Sequence, residues 1–307
     1  MKRVARLVPV YYFSLLPALP SFYVYTQTPV FTGITTFFMI QSLAVPSEGW
    51  NFPLWQISAF ALSYIIFPYV LRTLRVWSSS ALRKLMIILM ITNVIVVVIT
   101  MFLLPLVNQN VGILHRWGPF RLPQFVMGIA AGLLAQRGEF SGSTRKADII
   151  TLILTFSALI ICPVLVHISP MFTWIGVPLW DFYNTVAEYI VGPLHAYWLI
   201  ELTVPNSSSI SKKLFLSPPL KFLGEISYSF YCLHAPILYL AGWTIKNQGV
   251  NYDALPLILE PNTGIHGLFV FPPWAFIPLL GVIIPIAAAS NWFIEKPARK
   301  LLVKWSL

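Results

Sequence analysis

Three side chains able to exchange protons recur at helical spacing late in the chain: Ser227, Tyr231 and His234, within Gly224-Glu225-Ile226-Ser227-Tyr228-Ser229-Phe230-Tyr231-Cys232-Leu233-His234-Ala235-Pro236. At about 100° per residue they fall within about 60° of one another, so a helix would carry all three on one face. Such a face can line a substrate path. It can equally supply hydrogen bonds between helices where lipid excludes water, and spacing leaves both readings open. A second constellation is Asp181, Asn184, Glu188 and His195, separated by three, four and seven residues along one helix face. Acidic groups at membrane depth are costly and turn toward a bundle interior or a wet cavity, which makes Glu188 a candidate proton or cation site. The plainer reading is a helix cap at Asp181 and an interhelical hydrogen bond at Glu188.

The elements that must position these groups are membrane helices. Of 307 residues, 57% are hydrophobic and only 10% charged, against about a quarter charged in soluble domains. A water-soluble chain of this length could not hide so much apolar surface. Uncharged gaps run between Arg6 and Glu48, Glu48 and Arg72, Lys84 and Arg116, Asp148 and Asp181, Glu225 and Lys246, and Glu260 and Glu295. Each can hold a span of roughly 20 residues. A shorter one lies between Arg121 and Arg137, whose stems can run along apolar surface. The expected spans are 8–24, 53–71, 85–107, 120–136, 148–167, 182–203, 224–245 and 273–291.

With the N-terminus inside, 17 of the 20 basic residues fall in cytoplasmic segments, and only Arg116, Arg121 and Lys246 lie outside. The positive-inside rule favours that division and puts both termini in the cytoplasm. Counting the apolar stretch Phe31 to Ala44 as a ninth span would leave 14 basic residues outside against 6 inside, so it reads as a dipping or interfacial segment. The expected fold is therefore an all-α polytopic bundle of about eight spans plus that segment. The same distribution accounts for the net charge of +10 without nucleic acid, because the positive residues form no single stripe.

Met1 to Tyr25 has a basic start and an apolar stretch, but Pro9, Pro17 and Pro20 interrupt it and no A-x-A site follows, so it reads as a span and not a signal peptide. Cys162 and Cys232 fall in expected spans as small core residues, neither a disulfide framework nor a metal site. The sequon Asn206-Ser207-Ser208 lies in a segment that charge assigns to the cytoplasm. No repeat or linker divides the chain, so residues 1–307 read as one membrane domain. Phosphate loops, G-x-S-x-G and H-E-x-x-H are absent from the sequence.

The run from Gly224 to Pro236 resembles the hallmark G-x-I-S-Y-x-x-Y-x-x-H-x-P of the acyltransferase 3 family. Four further stretches agree in order. Arg3-Val4-Ala5-Arg6 resembles its R-x-x-R, and Asn51-Phe52-Pro53-Leu54-Trp55-Gln56-Ile57-Ser58 its N-x-P-x-W-x-x-S. Arg121-Leu122-Pro123-Gln124-Phe125 with Gly128 resembles R-L-P-E-F-x-x-G, and Phe293-Ile294-Glu295-Lys296-Pro297 the closing F-x-E-x-P. The resemblance implies acyl transfer from cytoplasmic acyl-CoA, with no bound cofactor, to a hydroxyl of a carbohydrate, lipid or similar acceptor. It would place Arg3 and Arg6 near donor phosphates, Arg121 near the outer mouth, Ser58 among the substrate-binding residues, and Ser227, Tyr231 and His234 along the internal cavity. Basic residues at Arg3 and Arg6 are also what topology alone requires.

Two departures concern proton transfer. The family's general-base His, about ten residues after an Arg on its first helix, is expected upstream of Met1, in two helices this chain does not carry. The Glu found in many members two residues past the serine is here Phe60, followed by Ala61; neither accepts a proton. The alternatives kept are a non-catalytic relative and a proton-coupled transporter using the Asp181 to His195 stripe.

Overall fold

The computed structural model describes residues 2–25, 29–44, 50–103, 116–139, 148–149, 152–153, 199, 210–247 and 275–304. Among them there are helices and turns and no strand. The stripe Asp181, Asn184, Glu188 and His195, Cys162, the sequon and nearly all of the expected spans 148–167 and 182–203 lie outside the described residues.

Among the described residues, three helical runs are long and apolar enough to cross a membrane: Trp55–Leu74, Ser79–Thr100 and Ile277–Leu302, of 20, 22 and 26 residues. At 1.5 Å per residue these reach roughly 30 to 39 Å, against a hydrocarbon core of about 30 Å. Each passes the expected limits at one end, Leu74 beyond 71, Ser79 before 85 and Leu302 beyond 291. Charge marks where lipid ends, whereas helix ends depend on where the backbone finds other partners.

Internal contacts divide the chain into two compact units, Met1–Ser58 with Pro218–Leu307, and Ala59–Ser217. In the first, α1 (Lys2–Tyr25) carries a buried stripe of Val10, Tyr11, Ser14, Leu15 and Ala18, while Tyr12, Phe13, Leu16 and Leu19 are exposed. That three-to-four spacing gives α1 one protein-facing stripe and an apolar outer face suited to lipid. Helix α2 (Pro29–Phe37) has nine residues, about 14 Å, so it cannot cross alone. It closes with Met39 N–H on the Thr36 carbonyl (3.1 Å) and Ile40 N–H on that of Thr35 (2.9 Å), Met39 taking the left-handed conformation at φ 57°. Beyond it Gln41 and Ser42 are buried: the Tyr11 hydroxyl donates to the Thr36 carbonyl at 2.6 Å, and the Gln41 amide donates to Tyr11 Oη at 3.2 Å. The apolar segment 31–44 thus carries polar groups into the first unit.

A 3-10 turn (Phe52–Leu54) leads into α3 (Trp55–Leu74), which begins in the first unit and continues into the second. The first unit is completed by α7 (Pro218–Asn247), α8 (Phe276–Ser290), a π-helical turn (Asn291–Glu295) and α9 (Lys296–Lys304). Val10, Tyr11, Leu15, Leu54, Ile57, Tyr228 and Cys232 form one core, and Ile226 with Ala287 and Ala288 a second. Small alanines on α8 are what allow close helix packing where lipid offers no hydrophobic drive.

In the second unit Leu82 of α4 (Ser79–Leu103) packs with Ile129, Ala130, Leu133 and Leu134 of α5 (Gly118–Gln136), and Leu74 at the end of α3 joins the same core. Helix α5 ends in a paired C-terminal closure, Gly138 N–H on the Ala135 carbonyl (3.0 Å) and Glu139 N–H on that of Leu134 (3.2 Å), with Gly138 at φ 71°. Glu139 pairs with Arg83 on α4, and Arg137 donates to the Arg75 carbonyl at 3.0 Å. Residues with a Cβ adopt this conformation only under backbone strain, so Gly138→Ala should cost about 1 kcal/mol in detergent unfolding. Unchanged stability would remove the glycine argument. Also in this unit, the Asp148 carboxylate accepts from the Ser211 backbone N–H (3.1 Å) and hydroxyl at the start of α6 (Ile210–Phe215).

Candidate functional site

Helix α7 carries a proline two residues after His234. Pro236 has no N–H, so the Cys232 carbonyl four residues earlier loses its helical partner. The Asn51 side chain supplies one, donating to that carbonyl at 2.7 Å and to Ser14 Oγ at 3.3 Å. Asn51 is 2% exposed, and its Oδ1 has no partner. Tyr231 donates its hydroxyl to the Pro53 carbonyl, and Tyr228 to that of Leu7 at 2.6 Å. The proline-broken helix is therefore held by groups from α1 and the turn before α3.

At the end of the π-helical turn, Glu295 is 2% exposed and accepts from three side chains. Its Oε1 accepts from Arg6 Nε at 3.1 Å; its Oε2 accepts from Ser229 Oγ and Asn291 Nδ2, both at 3.0 Å. Asn291 also donates to the Glu225 carbonyl at 3.1 Å, and Lys296 pairs with the Glu225 carboxylate at 3.1 Å. The widened π turn sets Asn291 and Glu295 at its two ends, both facing inward; turns of this kind are rare and recur at functional sites. A buried carboxylate needs such partners, because isolated charge in low dielectric is expensive. Arg6 itself is 43% exposed, and Glu295 engages it through Nε.

Of the expected site residues, Arg6, Ser58, Ser227, Tyr231 and His234 belong to the first unit, as does the backbone of Arg3 on α1. Tyr231 and His234 meet, with ring centroids 5.8 Å apart. Ser227 is exposed and bonds its own helix at the Gly224 carbonyl, 2.9 Å. Ser58 is buried against Ser42, hydroxyl to hydroxyl at 2.8 Å. Arg121 lies in the first turns of α5 in the second unit, donating to Gln124 Oε1 at 3.4 Å. Phe60 is stacked on Tyr64 with centroids 6.3 Å apart and brings no ionisable group. Residues that spacing did not single out are Glu295, Asn291, Ser229 and Asn51. The signal for two of them was present, since Asn51 and Glu295 stand at specified positions of the family-like patterns, whereas Ser229 falls on an unspecified one.

A helical chain with bilayer-length apolar helices and a buried, fully engaged carboxylate defines an integral membrane protein with a polar interior. A family model described as an acyltransferase domain matches residues 1–292, nearly the whole chain, and the protein belongs to the acyltransferase 3 family. Phe293 to Pro297, including Glu295, follows directly after the matched region. Comparison with curated proteins and with solved structures finds no match.

Proposed function

We propose that the protein is a multi-pass O-acyltransferase that moves an acyl group from cytoplasmic acyl-CoA to a hydroxyl of a carbohydrate, lipid or similar acceptor. The observation that carries this reading is that segments matching the family's pattern bond to one another. Arg6 reaches Glu295 across 289 positions, Ser229 reaches Glu295, Asn51 reaches Cys232, and Tyr231 reaches Pro53. The match over both units supports reading the chain as one membrane domain.

Eight crossings with both termini cytoplasmic remain the topology we favour. In support, Arg6, Glu225 and Lys296, from three segments that the 17 to 3 division assigns to the inside, converge at one end of the first unit. That end would receive the donor. The terminal nitrogens of Arg6 suit a phosphate, with Arg3 beside it on the same helix, and the basic cytoplasmic rim raises the local concentration of an anionic thioester. Ser58, Ser227, Tyr231 and His234 would line the path inward.

Donor binding tests the assignment. In nanodiscs, Arg6→Ala should weaken coenzyme A binding by about 10- to 100-fold, the loss of one charge-assisted hydrogen-bond donor set. Unchanged affinity in that variant would remove Arg6, and the donor end with it.

A further inference from the structure

We propose that the end of the second unit formed by the α3–α4 turn and the close of α5 binds the phosphate headgroup of an anionic phospholipid, through Arg72, Arg75, Lys84 and Arg137. The proposal stands apart from the acyl-transfer reading and uses none of its residues.

Hydrogen bonds across three elements gather these charges. Arg137, just past α5, reaches back to the turn, where its terminal nitrogens donate to the Arg75 carbonyl at 3.0 Å and to Ser79 Oγ at 3.3 Å. Both acceptors are neutral, so they hold the guanidinium without balancing its charge. Arg83 is balanced, by Glu139, which is the sole acidic residue in the sequence between Glu48 and Asp148. Arg72 lies in the last turn of α3, three residues before Arg75, and Lys84 follows Arg83 on α4. Arg72, Arg75, Lys84 and Arg137 are all exposed, and among the described residues no carboxylate pairs with any of them. Like charges gathered at one end of a unit repel, and an anion shared among them relieves that repulsion.

The surroundings of the set point to lipid as the source of that anion. On α3, Ile65 and Tyr69 are exposed and share a helix face with Arg72, at spacings of four and seven residues. On α4 the same holds in reverse: Lys84 is followed on its face by exposed Ile87, Ile88 and Ile91. Both outward faces therefore change from apolar to basic as the turn is approached, and Val76 and Trp77 are exposed within the turn itself. From Ser79 to Lys84 the helix rises about 8 Å, against about 5–8 Å for one headgroup layer outside the hydrocarbon core. Basic and aromatic side chains collect in that layer. A free phosphate would meet the same charges but gain nothing from the apolar flanks, whereas a lipid engages both.

The test titrates the full chain, purified in a neutral detergent, with short-chain phosphatidylglycerol and follows binding by calorimetry. Phosphatidylglycerol should bind, and neither phosphatidylcholine of the same chain length nor inorganic phosphate should displace it at equal concentration. Arg72→Gln with Lys84→Gln removes two charges that hold no carboxylate and should weaken binding by about 30-fold, with the melting temperature of the lipid-free protein unchanged. If that double variant melts early, Lys84→Gln alone carries the test, with a loss of about fivefold. Removing two charges from α9 instead, by Arg299→Gln with Lys300→Gln, should leave the affinity nearly unchanged. Absence of phosphatidylglycerol binding, or binding indifferent to Arg72 and Lys84, would overturn the proposal. So would an equal loss in the α9 variant, which would assign the effect to net charge, or displacement by inorganic phosphate, which would assign it to a soluble anion.

Discussion

Glu295→Ala should be the most destabilising single change in the first unit, lowering unfolding free energy in mixed micelles by about 3–5 kcal/mol. The carboxylate is the shared acceptor for Arg6, Ser229 and Asn291. Without it, the Ser229 hydroxyl loses its acceptor at 0% exposure; each buried polar group so orphaned costs about 1–3 kcal/mol. Arg6 adds less, because at 43% exposure water can solvate it. Glu295→Gln should be milder: its amide can still accept from Ser229 and Asn291 while losing the charge opposite Arg6. If alanine cost under about 1 kcal/mol, the cluster would not be holding α1, α7 and the π-helical turn together.

The second large effect concerns the break in α7. Asn51→Leu should cost about 2–3 kcal/mol, since it leaves the Cys232 carbonyl without a donor inside a core where Cys232 is 0% exposed. Restoring the backbone N–H with Pro236→Ala should recover part of that loss, because residue 236 can then bond the same carbonyl itself. The two changes should be non-additive by about 1 kcal/mol or more in a double-mutant cycle. Additive costs would mean that Asn51 and Pro236 act independently, and the account of why the two segments belong together would fail.

Much of this was legible in sequence at the level of single elements. The apolar gaps located the three bilayer-length helices found among the described residues, but which side of α1 is buried was not legible, because Tyr12, Phe13, Leu16 and Leu19 on its outer face are as apolar as Val10, Leu15 and Ala18. The charge distribution argued against a crossing by the apolar segment after α1, and the helix found there, Pro29–Phe37, is too short to cross alone. What was not legible is pairing across long separations. Nothing local to Arg6 names Glu295, 289 positions away, as its partner. The π turn is equally silent: widening from Asn291 to Glu295 turns both side chains inward, whereas hydropathy over the same residues reads only as the end of an apolar run. Pro236 is an intermediate case. Its vacated carbonyl can be read from sequence, but the residue that satisfies it cannot. Ser227 shows the converse, since shared helical face placed it with Tyr231 and His234, yet its hydroxyl turns back on Gly224.

The account's central claim is that a polar interior assembled from the family's segments transfers an acyl group. The most direct measurement follows labelled acyl-CoA added to sealed vesicles containing the protein. The account predicts label in ester linkage to membrane or glycan hydroxyls, dependent on Arg6 and abolished in Arg121→Ala. Solute uptake into those vesicles with no acyl transfer and no acyl-CoA consumed would contradict it.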